Sequence, residues 1–389
     1  MKPLAIGITC YPSVGGSGIV ASQLGSELAR LGHRVHFIAY EPPFRLERRH
    51  PRQTFPGVTF HRVEVNEYGV FKYPDYTLPL AVKMAAVANK FKLDVLHVHY
   101  AVPHATAALL ARQIALENRQ HAPKVITTLH GTDISLLGRD RNLRPIIKYS
   151  IENSDGVTAV SESLRRETVQ VLGTRKPIEV IHNFFRPKPA SKSRAEVRVE
   201  LGIKESDFLL IHMSNLRPVK RIPDILQVLA DVPGAKLLVL AGAAFDEFLP
   251  LVKKLRVGRR LIVIPRVLDI ENYICAADTG LYASEKESFG MGVLETMSYG
   301  RPVVATRVGG VAEIVEHGES GFLCRMGDVP GLAGAVRRLM GDRGAAERMG
   351  ESALRRARER FPAGGSVGRY VEFYRRVLAG GPAPVQNRR

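Results

Sequence analysis

LAIGITCYPSVGGSGIVASQLGSELARLGHRVHFIAY, residues 4–40, decides the fold. Leu4–Thr9 is an apolar run of strand length, and Gly15-Gly16-Ser17-Gly18 turns the chain. From Ile19 to Leu31 the apolar residues recur at helical spacing, Gly32 ends that helix, and Val35–Tyr40 reads as a second strand. A strand, a crossover helix and a second strand in this order form a parallel βαβ unit. Met1-Lys2-Pro3 ahead of an apolar run has the outline of a signal peptide. The run enters the glycine turn with no small-residue cleavage pattern, so it is read as the first strand.

Outward from this unit the alternation continues. Val95–His99, Val125–Leu129, Gly156–Val160 and Glu179–Ile181 read as further strands. The pattern pauses at Arg186-Pro187-Lys188-Pro189-Ala190-Ser191-Lys192-Ser193, which reads as a linker. It then restarts with Phe208–Met213, Lys236–Ala241, Leu261–Pro265, Thr279–Tyr282 and Pro302–Thr306. The expected fold class is α/β, with two doubly wound parallel-sheet domains facing across a cleft. The boundaries drawn are 1–185, 186–363 and a C-terminal helix with a basic tail at 364–389. Pro362-Ala363-Gly364-Gly365 reads as a break before a last helical segment, Val367 to Leu378, expected to cross back to the first domain.

The 389 residues suit two or three domains, and 45% hydrophobic with 24% charged residues is globular usage. No eighteen apolar residues run together, which speaks against a membrane-spanning helix. Cys10, Cys275 and Cys324 are too few and too scattered for a disulfide framework or a cysteine-rich zinc site, and the expected location is cytoplasmic. The formal charge of +18 draws anions: nucleic acid, acidic lipid or phosphorylated small molecules. From Val336 onward there are thirteen arginines, no lysine and five acidic residues, read as solvated helix faces. Without a recognition module or interleaved Arg–aromatic stretch, nucleic-acid binding is not expected. Trp is absent and no basic amphipathic helix with exposed aromatics is evident, so stable membrane insertion is not expected either.

Ligands of open parallel sheets sit beyond the carboxyl ends of the strands, and the informative residues fall there. The loop Tyr11 to Gly18 lacks both a G-x-G-x-x-G fingerprint and a P-loop lysine, against dehydrogenase and NTPase readings. His97 and His99 share one strand face with His104 in the next loop. No third ligand of metal-binding type accompanies them, so packing or hydrogen bonding is the reading and no metal or cofactor is expected. His130, at a strand end before Gly131, is placed to touch a substrate. Arg217 and Lys220, three apart after a strand, suit a two-phosphate clamp. Glu287 in a loop, Gly290-Met291-Gly292 opening a helix, and Glu295 within it suit sugar hydroxyls, phosphate and a ribose diol.

Glu287 and Glu295, the Arg217/Lys220 pair and the Gly15-Gly16 loop resemble the retaining glycosyltransferases of GT-B architecture. Cys10 to Gly18, Pro43 to Leu46, Val70 to Pro74, His99-Tyr100, Pro103-His104, Thr128 to Asp133 and Ser284 to Gly290 narrow the resemblance to the N-acetyl-α-D-glucosaminyl L-malate synthases of bacillithiol biosynthesis, from residue 3 to about residue 375. The resemblance implies transfer of N-acetylglucosamine from UDP-N-acetylglucosamine to the hydroxyl of L-malate, with retention. It implies that Arg217 and Lys220 hold the diphosphate, Glu287 the sugar hydroxyls and Glu295 the ribose. Phe289, Gly290, Met291 and Gly292 then lie near phosphate or sugar, Gly15 and Gly16 face the diphosphate, and His130 approaches the donor sugar. For the malate dianion the candidates are Ser17, Tyr100, Thr128, Thr132 and Lys148. Relatives often pair, so a homodimer is left open.

Two features depart from the family pattern. Gly242-Ala243-Ala244-Phe245 stands where relatives usually carry Gly-x-Gly-Pro, and Pro145 falls in a segment expected to be helical near Lys148. A GT-B transferase with another anionic acceptor, inositol phosphate or an anionic lipid, is the alternative reading.

Overall fold

The computed structural model describes residues 2–12, 16–43, 56–65 and 76–380. The chain divides into two units: unit 1 is Met1–Asn183 with Ala363–Arg389, and unit 2 is Phe184–Pro362. Of the sequence features above, Ser13 to Gly15, Phe44 to Leu46, Val70 to Pro74 and the basic tail from residue 381 onward lie outside the described residues.

Unit 1 is built on seven strands: β1 (Ala5–Thr9), β2 (Arg34–Ala39), β3 (Val58–Arg62), β4 (Val95–His99), β5 (Lys124–Leu129), β6 (Gly156–Ala159) and β7 (Glu179–Val180). All pair in parallel, in the order β3-β2-β1-β4-β5-β6-β7. Every residue of β1 and β4 is buried, as expected for central strands covered on both faces. The order reverses between β1 and β4, so the loops after these strands part to opposite sides and leave a crevice at the sheet's carboxyl edge.

Unit 2 repeats the plan with six: β8 (Phe208–Ser214), β9 (Ala235–Ala241), β10 (Leu261–Pro265), β11 (Thr279–Tyr282), β12 (Val303–Thr306) and β13 (Gly321–Cys324), ordered β10-β9-β8-β11-β12-β13. Here the switch point lies between β8 and β11. The helix Ile222–Asp231 buries Ile222, Ile225, Leu226, Val228 and Leu229, the i, i+3, i+4, i+7 stripe, into a core with Leu237, Val239, Leu281, Val304 and Leu332. Each such side chain contributes about 1.5–3 kcal/mol on burial.

Two strands were not expected, β3 and β13. The helix Ala363–Leu378 also begins directly after Pro362, where a break was expected. Its face of Val367, Tyr370, Phe373, Tyr374 and Val377 is buried, which outweighs the weak propensity of Gly364 and Gly365. Within unit 1 this helix packs closely on β6: a Cβ at Gly156 would stand 2.7 Å from the Phe373 ring.

The stretch 186–193 is fastened to unit 2. The Tyr299 hydroxyl accepts from Lys188 N (3.0 Å) and donates to the Lys188 carbonyl (2.9 Å), while Asn272 Oδ1 accepts from Ser191 N and Lys192 N. A Ser193/Glu196 capping box then starts the helix Arg194–Glu200. Among the described residues no helix is long and apolar enough to cross a membrane.

Candidate functional site

In unit 2 the groups converge on the β8/β11 switch point. Ser214 ends β8, and the loop beyond it carries Arg217 and Lys220 on a short turn, Pro218–Lys220. Two non-glycine residues in the left-handed region bracket that turn, Leu216 at φ 55° and Arg221 at φ 51°. Such conformations cost of order 1–3 kcal/mol and persist only where the surroundings impose them. Leu216 is buried and its N–H donates to Ser214 Oγ (3.1 Å), while Arg221 is ion-paired with Asp224 at 2.7 Å. Arg221 is therefore spoken for. Arg217 is exposed, and no hydrogen bond or ion pair holds its guanidinium among the described residues.

Lys220 Nζ donates to Glu287 Oε1 at 2.5 Å, and Ser284 Oγ donates to the same oxygen at 2.9 Å. Glu287 lies in the loop after β11. Its backbone is packed against Gly309-Gly310, with Gly310 N donating to the Glu287 carbonyl at 3.1 Å. A Cβ on Gly309 would overlap that carbonyl, and one on Gly310 would stand 2.6 Å from Phe289 Cα. Bare backbone at both positions is what lets the two loops touch. Gly290, at φ 109°, caps the helix Met291–Met297, on which Glu295 is buried. Gly292 is close-packed: a Cβ there would meet the Tyr282 ring at 3.0 Å and the Met213 carbonyl at 3.1 Å. The Tyr282 hydroxyl donates to the Gly292 carbonyl at 2.8 Å and bonds with Thr296 Oγ1 at 2.7 Å. Phe289 is buried, against Phe361. Of the predicted donor residues, the structure joins Lys220 and Glu287 directly, sets Arg217 and Gly290 on the loops around them and places Gly292 in the first turn of the helix Met291–Met297.

In unit 1, His130 follows β5 and is half-buried, with Nε2 at 2.7 Å from Nδ1 of His99. His97 stacks beside His99 at 4.6 Å, and His104 Nδ1 donates to the His99 carbonyl at 2.5 Å. Burial holds all four imidazoles neutral: His97 and His130 are lowered to about 3, His104 to about 4, and His99 lies well below its usual value. Asp133, buried beneath them, accepts from Gly131 N (2.9 Å) and Ala101 N (3.2 Å). Desolvation raises it to about 6 although those bonds pull the other way.

Tyr100, at φ 85°, lies 5.3 Å ring-to-ring from both Tyr11 and His130. Gly16 and Ser17 open the helix Gly16–Arg30 after β1, and Thr132 opens the turn Thr132–Ser135. Thr128 and Lys148 stand differently. The Thr128 hydroxyl is fully buried, bonded to His97 Nε2 and to Thr158 Oγ1 at 2.7 Å each. Lys148 Nζ donates to the Gly173 carbonyl at 3.3 Å and lies 3.8 Å from Glu152. Pro145 falls in the first turn of the helix Arg144–Asn153, where the missing N–H costs nothing, so the helix carrying Lys148 is regular.

Sequence reasoning missed His212 and Ser214, and quoted Ser284 at the start of a motif without giving it a role. Serine is common after strands, and a histidine inside an apolar strand reads as core. Asp133, quoted within the His130 motif, was not singled out, although an acid behind a strand-end His-Gly was the available cue.

Residues 14–188 match the model of glycosyltransferase family 4, and residues 193–356 that of glycosyl transferases group 1. The chain is 44% identical to the N-acetyl-α-D-glucosaminyl L-malate synthase of Bacillus anthracis, over 96% of this chain and 97% of that protein. It is 29% identical to a D-inositol 3-phosphate glycosyltransferase of Nocardia farcinica over 54% of this chain and 50% of that one. Among solved structures it resembles Anabaena HepE in complex with UDP and glucose (TM-score 0.78, 21% identity, 95% of this chain and 99% of that one). It also resembles the sucrose-phosphate synthase of Thermosynechococcus elongatus (TM-score 0.77, 20% identity, 97% and 100%). These likenesses give the fold as GT-B.

Proposed function

The chain belongs to the N-acetyl-α-D-glucosaminyl L-malate synthase family of glycosyltransferases, and on that premise we propose that it transfers N-acetylglucosamine from UDP-N-acetylglucosamine to the hydroxyl of L-malate, the first step of bacillithiol synthesis. The observation that carries this reading is the 44% identity over nearly the full length of both chains, which favours malate over the inositol phosphate named by a half-length relative.

In this reading Arg217 and Lys220 grip the donor's diphosphate, the arginine as a planar fork and the lysine as a point charge. Lys220 already rests on Glu287, so the arriving diphosphate shares a cation held in place. Glu287 takes sugar hydroxyls, the amides from Gly290 to Gly292 face phosphate or sugar, and Glu295 takes the ribose. Gly16 and His130 are assigned to the donor. Ser17, Tyr100 and Thr132 are assigned to malate with Lys148, and Thr128 steadies His97 from below.

The malate hydroxyl attacks the anomeric carbon on the face from which phosphate leaves. The carbon–oxygen bond to phosphate breaks through an oxocarbenium-like transition state, and the hydroxyl proton passes to the departing phosphate oxygen. Charge grows on that phosphate, so Arg217 and Lys220 stabilise the transition state more than the ground state. Neutral His130 is suited to hydrogen bonding with the sugar without adding a charge.

UDP release from UDP-N-acetylglucosamine, measured against malate, inositol 1-phosphate and water, tests the proposal. Turnover with malate alone is expected. Turnover with inositol 1-phosphate alone overturns the acceptor and leaves the fold untouched.

A further inference from the structure

Beneath the Lys220–Glu287 pair lies a histidine to which nothing above gives a role. His212 is fully buried near the end of β8. Its Nδ1 stands 2.8 Å from the Leu281 carbonyl on β11, and a carbonyl can only accept, so Nδ1 carries the proton. Nε2 of the neutral ring is then an acceptor, and it lies 2.8 Å from Ser214 Oγ. The serine therefore donates to the ring, and its remaining lone pair accepts from Leu216 N–H at 3.1 Å. Every proton in this relay has one place to be. Its far end is the backbone of Leu216, the left-handed residue immediately before Arg217.

The neutral form is the one the site favours. Burial lowers His212 to about 4; Lys220 pushes in the same direction, while the Leu281 carbonyl and Glu287 oppose it. Tyr282 packs against the ring at 5.4 Å and joins the same strand to Gly292 and Thr296. The loop bearing the two cations and the helix opened by the glycines are thus both referenced to the β8/β11 pair.

We propose that His212 and Ser214 are positioning residues for donor binding: the relay from the Leu281 carbonyl through the His212 ring and Ser214 hydroxyl to Leu216 N–H holds Arg217 and Lys220 in the geometry that grips a nucleotide diphosphate. This rests on the assignment of those two cations to the diphosphate. Ser214→Ala removes the relay without burying a charge. His212→Asn keeps a donor for Leu281 and removes the acceptor for Ser214. His212→Gln offers an oxygen near the place of Nε2.

The readouts are UDP affinity by calorimetry, the KM values for donor and for malate, and the thermal midpoint, with Arg217→Ala alongside. For Ser214→Ala and His212→Asn, UDP affinity is expected to fall roughly tenfold, as loss of one hydrogen bond that orders charged groups implies, and donor KM to rise in step. Malate KM holds, and His212→Gln recovers part of the loss. If Arg217→Ala weakens UDP binding while Ser214→Ala and His212→Asn leave it unchanged, the relay is packing only and this inference falls. Equal losses for donor and malate in proportion to a lowered thermal midpoint overturn it in the same way. If Arg217→Ala itself leaves UDP affinity unchanged, the assignment of the diphosphate grip falls first.

Discussion

Lys220 and Glu287 make a short ion pair in a half-buried setting, and its two partners have different work. In the proposed function, removing the lysine takes a positive charge from the place where the leaving diphosphate becomes more negative. Lys220→Ala is therefore expected to lower kcat by roughly 100-fold to 1,000-fold, the scale for deleting one preorganised electrostatic group. Steady-state kinetics with circular dichroism checks this, and a loss under fivefold in a folded variant contradicts it. Gly309→Ala makes a second case. The residue sits at φ 46° with its Cα against the Glu287 carbonyl, so a methyl group must push the Glu287 loop away. Donor KM should rise at least fivefold while malate KM holds. At this scale the sequence was informative where chemistry is rare: Gly-x-Gly at a helix start and paired cations after a strand both point to the candidate site. It was silent on His212, because one histidine in Phe208–Ser214 looks the same whether it fills space or orients a loop.

The central strands were the most legible elements. Central strands such as Ala5–Thr9 and Val95–His99 are continuous apolar runs because both faces are covered. β3 is an edge strand with a half-exposed Val-Thr-Phe-His-Arg pattern, so it does not stand out; β13 is mostly buried and no shorter than β6, which was read, and nothing in the structure explains why its pattern was missed. Most of the C-terminal arginines do lie on solvated faces, Arg337, Arg338, Arg348, Arg355, Arg358 and Arg360 among them, but others serve backbone carbonyls as well. Arg343 donates to the carbonyls of Glu205 and Ser206, Arg356 to those of Glu313 and Ile314, and Arg369 to that of Val180. Arg198, 1% exposed, does the same at higher stakes, serving the carbonyls of Ala276, Lys204 and Asp207 with Asp278 as counter-charge. Its removal orphans buried carbonyls and a carboxylate together, so Arg198→Ala should cost about 3–5 kcal/mol. That corresponds to a fall of about 10 °C or more in the midpoint of unit 2 by calorimetry. A shift below 3 °C would show that water replaces the guanidinium freely.

Across the whole molecule, acid should act unevenly. Unit 1 contains His33, His36, His61, His97, His99, His104 and His130, all lowered by burial, whereas among the described residues of unit 2 only His212 is lowered. A histidine with a depressed folded pKa binds no proton in the native state between about pH 6.5 and its folded value, while the unfolded chain does. Stability therefore falls with pH across that window, by up to about 1.4 kcal/mol per pH unit for each fully buried ring such as His97, His99 and His104. Asp133, raised to about 6, and Glu179, also raised, have the opposite sign, because their folded forms take up a proton first as pH drops. Two carboxyls offset only part of seven imidazoles. In unit 2, Asp207 is lowered, but from 3.8, so its contribution is lost only at more acid pH. Unit 1 should thus open before unit 2 between pH 6 and 4. Brief pepsin digestion at pH 4.5, with peptides mapped by mass spectrometry, should release fragments from residues 2–183 before any from 184–362. Simultaneous cleavage of both units, or earlier cleavage of unit 2, contradicts the histidine account. Tyr374→Phe should move the opening of unit 1 to higher pH. It removes the hydroxyl that bonds to His97 Nδ1 at 2.7 Å and leaves a buried nitrogen without that partner, which costs unit 1 about 1–3 kcal/mol at every pH, so less acid suffices to open it.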